Sequence, residues 1–213
     1  MRTLTWMKCL VTQKLPMKTK WPILTCLLFI GIYASAQNPS ELLNFNEQRL
    51  DYNQKGMLIL GSWALGNMAV SSFRLQAENR ETQAYHQMNL AWNAVNLAIA
   101  GFGYYSALNA SADLSLAESI LEQNKISKVL LFNAALDLGY MVGGAYLMER
   151  SKNSEQKDRL KGFGQAVIVN GAFLLVFDSI MYYMHSSHES SILIPLLESI
   201  QLSSNSVGFL WQF

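Results

Sequence analysis

Residues 87–112 read QMNLAWNAVNLAIAGFGYYSALNASA, and no Asp, Glu, Lys or Arg occurs among them. An α-helical bilayer crossing takes ~20 residues, so the stretch is long enough to span one. Its polar residues are not scattered. Asn89, Asn93 and Asn96 follow at i, i+4 and i+7, the spacing that aligns side chains on one helical face. Polar groups in hydrocarbon are expensive unless they meet one another, so this face predicts a partner with a matching polar stripe.

Three further apolar stretches carry such stripes: Gly56–Phe73 with Trp63, Asn67 and Ser71, Val129–Met148 with Asn133, Asp137 and Tyr140, and Gly162–His185 with Asn170, Asp178 and Tyr182. The pattern predicts an all-α fold, an integral membrane four-helix bundle with a polar interior. Counted inward from the helix ends at ~1.5 Å per residue, Asp137 and Asp178 reach one level, while Asn67, Asn93 and Asn170 reach another. The candidate polar core or binding set is therefore Asn67, Asn93, Asn96, Asn133, Asp137, Tyr140, Asn170 and Asp178. Two aspartates meeting at low dielectric would share a proton, which serves equally as a relay or as a structural hydrogen bond.

Of the 213 residues 51% are apolar and only 15% charged, and the charges crowd between the apolar runs. The start of the chain reads as a cleavable signal peptide: Lys18 and Lys20, an apolar run from Trp21 to Tyr33, then Ala34-Ser35-Ala36. The expected organisation is 1–36 as signal peptide and upstream extension, 37–190 as the four-helix transmembrane domain, and 191–213 as an interfacial tail. Pro195 is expected to break the helix, and the alternating Val207, Phe209, Trp211 and Phe213 resemble a surface anchor. Cys9 and Cys26 both precede the cut, leaving the mature chain no thiol chemistry. Asn38-Pro39 and the Ser115-x-x-Glu118 capping box are expected to start helices that extend beyond the bilayer.

Arg74, Arg80, Arg150, Lys152, Lys157, Arg159 and Lys161 flank the first and third connections. Arg49, Lys55, Lys125 and Lys128 lie at the opposite side. Basic residues favour the cytoplasmic face, so the expected location is a bacterial inner membrane, multi-pass, with both mature termini periplasmic. The formal net charge of +1 offers no bulk attraction to nucleic acid. The expected partners are the lipid bilayer and other membrane proteins or a second copy of the chain. Ala135, Gly139 and Gly143, like Ala94 and Ala98, recur at every fourth position, and internal helix packing is their expected use, with a homodimer face as the rival. His185 and His188 are weak metal candidates at a helix end expected to be solvated. No cofactor is implied, and neither a nucleophile with its base nor a metal triad can be assembled.

Leu43-Asn44-Phe45-Asn46, Trp92-Asn93-x-x-Asn96 and Asn133-x-x-x-Asp137 give the chain its likeness to known sequences. It resembles members of an uncharacterised family of bacterial exported four-helix membrane proteins, from about Glu41 to Leu202. The resemblance implies a fold and no activity. The leading functional expectation is a structural or accessory bundle. The alternative is a proton- or solute-binding or translocating module using Asp137 and Asp178.

Overall fold

The computed structural model describes residues 39–197. The expected signal peptide, both cysteines and the aromatic tail from Val207 to Phe213 lie outside the described residues. Within them there are four long α-helices and no strand: α1 (Pro39–Arg74), α2 (Arg80–Asn109), α3 (Leu116–Ser151) and α4 (Lys157–His188).

Local chemistry sets the boundaries. Pro39 is the first residue of α1, where a missing N–H costs nothing. The Asn79 side chain caps α2 by accepting from the N–H groups of Glu81 at 2.8 Å and Thr82 at 3.2 Å. The capping box expected at α3 is present in full. Ser115 Oγ accepts from Glu118 N–H, and the Glu118 carboxylate accepts from Ser115 N–H at 2.9 Å.

The expectation that Pro195 breaks the last helix is corrected. A π turn, Glu189–Leu193, follows α4 directly, and helix continues through Pro195 to residue 197. Proline lacks an N–H and crowds the carbonyl four residues back. Here Ile194 N–H bonds the Glu189 carbonyl, five residues back, and this widened turn accommodates the ring.

The helices do not form a symmetric square. α3 packs most extensively on α4, α1 on α2, and α2 on α4, whereas α2 and α3 hardly touch. α4 thus forms the floor of a cleft walled by α2 and α3. Gly144 and Gly164 let α3 and α4 close up: a Cβ on Gly144 would stand 2.7 Å from the Gly164 carbonyl oxygen. The small-residue stripes expected to do this work face outward instead. Ala94, Ala98, Ala135, Gly139 and Gly143 are exposed, and a methyl group at Gly139 or Gly143 would meet nothing within 4 Å.

Polarity is inverted. Asn46, Ser71, Asn89, Asn93, Gln123, Asp137 and Asn170 are buried, while Ile59, Phe102, Phe132, Val142 and Val176 stand outward, Phe102 with 78% of its surface free. α1, α3 and α4 are long and apolar enough to cross a bilayer, by length and composition. α2 is not in that set, contrary to the expectation of four. It carries no charge after Glu81, but Gln87, Asn89, Asn93 and Asn96 dilute its apolar content.

Candidate functional site

The interior is layered along the bundle. At the end that holds the basic connections, Asn89 is a hub between α1, α2 and α4. Its Nδ2 donates to Ser71 Oγ at 2.8 Å and to Asn67 Oδ1 at 3.2 Å. Its Oδ1 accepts from Asn93 Nδ2 at 3.0 Å and from Asn170 Nδ2 at 2.7 Å. Asn93 also donates to Asn170 Oδ1 at 2.9 Å. Ser71 meets His86 Nδ1 at 3.2 Å, and burial first, then Arg74, holds His86 below the ordinary imidazole range. These amides thus tie three helices together as interhelical glue, with Asn93 Oδ1 the buried atom of the network that has no partner.

One step inward lie the acidic groups. Asp137 of α3 and Asp178 of α4 face each other within hydrogen-bonding reach, and Asn133 also bonds Asp178. Asp137 Oδ2 is buried with no N–H or O–H donor from a neighbour, so the approach of two carboxyls requires a proton between them. Asn96 is buried beside them, and its Nδ2 has no acceptor.

These four residues line a cavity of about 460 Å³ whose other walls are largely apolar, including Leu60, Val95, Leu136 and Leu174. Val95 and Ile99 on α2, and Leu136 and Tyr140 on α3, are exposed as well as lining, so the cavity opens sideways through the α2–α3 cleft. Trp92 and Tyr140 bridge the cleft edge to face, ring centroids 4.9 Å apart. No Lys, Arg or His lines the cavity.

Beyond the acidic layer Leu60, Ala100, Leu130, Phe177 and Met181 form a buried apolar cluster. Past it comes a third polar layer. Asn46 Nδ2 donates to Ser119 Oγ at 2.8 Å, and Gln123 Nε2 donates to the His185 carbonyl at 3.0 Å. Arg49 is buried and donates from Nε to Asn46 Oδ1 at 3.3 Å. Burial lowers its guanidinium pKa while Glu122 opposes the shift.

The expected solvated end at His185 and His188 is corrected here. Both are buried, because α1 continues outward and lays Phe45 and Tyr52 against them. His188 stacks on Phe45 at 4.5 Å and its Nε2 meets the Phe45 carbonyl at 3.0 Å. Among the described residues no third metal-ligating side chain joins them.

Thus Asn67, Asn93 and Asn170 join one network, and Asn96, Asn133, Asp137, Asp178 and Tyr140 share one cavity. The candidate set omitted Asn89, although its spacing was plain, and the whole third layer. The i, i+3 pair Asn46 and Arg49 and the i, i+4 pair Ser119 and Gln123 were the available signals.

Residues 59–179, more than half of the chain, match the family of unknown function DUF6992, and the chain belongs to that family. The matched span contains the asparagine and aspartate layers and, of the third, takes in Ser119 and Gln123 but not Asn46, Arg49, His185 or His188. No curated protein and no solved structure matches the chain.

Proposed function

We propose that this chain is a multi-pass membrane protein whose four helices cross a bilayer, and that its centre binds a small ligand. Inverted polarity supports the first part. Outward Ile59, Phe102, Phe132 and Val176 suit lipid, and the buried amides are the groups that lipid could not satisfy. α2 would cross as the helix with most of its polarity turned inward. The basic connections fit a cytoplasmic side, which with an exported leader puts the mature termini on the periplasmic side of a bacterial inner membrane.

One observation carries the binding reading: the sideways-open cavity with a paired carboxyl floor and an unpartnered Asn96 amide. Its volume falls in the ~300–1,000 Å³ range of ligand pockets. A bundle serving only to fix helix register would gain by closing this space, since an orphaned buried donor costs ~1–3 kcal/mol. The apolar cluster on one side and the interlocked asparagines on the other favour binding over a path from end to end.

The test is saturable binding to the whole protein in lipid nanodiscs. Three fluorescently tagged amphiphiles with one C12 tail would be used, ending in an amino alcohol, an alcohol or a carboxylate. Ala91→Trp, which adds a ring at the cavity wall, is the filled control, with Val95→Trp as its replacement should folding fail. Saturable binding of any probe, lost in the filled variant, supports the reading. Three probes that only partition into lipid would favour the closed scaffold.

A further inference from the structure

The chemistry of the cavity also points to what kind of ligand it takes, an inference that rests on the binding reading above. Asp137 and Asp178 line the floor of the cavity together, and a carboxyl pair that keeps a single proton between its members holds one net negative charge there. No cationic side chain lines the cavity, and an isolated charge in a low-dielectric site calls for a counterion. Beside the pair the Asn96 amide N–H group is nine-tenths buried and lacks an acceptor. Along the mouth Trp92 and Tyr140 offer aromatic surface, the surroundings in which organic cations are stabilised.

From this we infer that the cavity binds a lipophilic amine whose polar end also carries an oxygen acceptor, as in a long-chain amino alcohol. The ammonium group donates to the free carboxylate oxygens and neutralises the floor. The oxygen accepts from Asn96 Nδ2. The apolar tail leaves through the α2–α3 cleft, past Val95, so entry is from the lipid and not from either end of the bundle. Binding requires no bond to be made or broken, and the pair keeps its proton.

The three probes in nanodiscs decide it. In the wild-type protein the amino alcohol binds at least about tenfold more tightly than the alcohol of equal tail, and the carboxylate does not saturate, because an ammonium–carboxylate hydrogen bond is charge-assisted. The double variant Asp137→Asn with Asp178→Asn removes that tenfold preference, either single Asn variant keeps one carboxylate and with it the preference, and Ile180→Ala, on the outer face, leaves it unchanged. Size-exclusion profiles identify any variant that misfolds, and the wild-type ranking stands without the variants. Equal binding of amine and alcohol, or tighter binding of the carboxylate, overturns the cation inference and leaves the pocket reading intact. Absence of saturable binding for all three overturns both.

Discussion

Asn93 of α2 donates to Asn170 of α4 across 2.9 Å, and neither side chain has any accessible surface. Two helices whose sequences are 77 residues apart are pinned at one depth by this bond and its return contacts through Asn89. Asn170→Leu removes a donor and an acceptor from this buried network and leaves the Asn93 amide with Asn89 as its one remaining partner. A loss of about 2–3 kcal/mol is expected in unfolding of the detergent-solubilised protein. Asn53→Leu, on the part of α1 beyond the first span, serves as the comparison and is expected to change stability by less than about 0.5 kcal/mol.

The acidic pair responds differently to two substitutions. Asp137→Asn keeps the shape and supplies a permanent N–H donor for Asp178, so stability stays within about 1 kcal/mol of the wild type. Asp137→Leu leaves Asp178 with Asn133 alone in a buried site and costs about 3 kcal/mol or more. Thermal unfolding of both variants side by side checks this order.

Glycines that differ by one position separate inner from outer faces. Gly144→Ala places a Cβ 2.7 Å from the Gly164 oxygen and forces α3 from α4, an expected loss of about 1–3 kcal/mol. Gly143→Ala meets nothing within 4 Å and, in a helix, gains up to about 1 kcal/mol. Melting temperatures should move in opposite directions.

Glu81, at the start of α2, accepts from Lys161 Nζ at 2.9 Å and Gln165 Nε2 at 2.9 Å, tying α2 to α4 at the basic end. The Lys161 hydrogen bond is the main cause holding its carboxyl below the usual carboxylate range. A depressed folded pKa contributes stability that is complete above the unfolded value and is lost as pH falls through the folded one. The pair is partly exposed, so less than about 1 kcal/mol is at stake. Glu81→Gln is expected to flatten the acid limb of the stability–pH curve and to change little at pH 7.

Much of the interior was legible because helical spacing is a local property. Asn89, Asn93 and Asn96 declare a face whatever packs on it, and counting along each helix brought Asp137 and Asp178 to one level. Direction around the helix was less legible for small residues. Gly143 and Gly144 differ by about 100° of rotation, and only the neighbour, Gly164, decides which is buried. The third layer was obscured because Arg49 and His188 lie where charged residues are ordinarily solvated. Their burial depends on α1 running far beyond its apolar stretch to cover α4. Pro195 signalled a break, and the π turn that accommodates it has no simple sequence mark.

The central claim is that the outer surface of this bundle belongs in lipid. Spin labels on single cysteines at Phe102, Leu138 and Ile180, with Cys9 and Cys26 replaced, test it in liposomes through collisions with oxygen and with a water-soluble nickel chelate. High oxygen and low nickel accessibility at all three sites is the predicted result. Nickel accessibility typical of a water-exposed helix surface at these positions would contradict it.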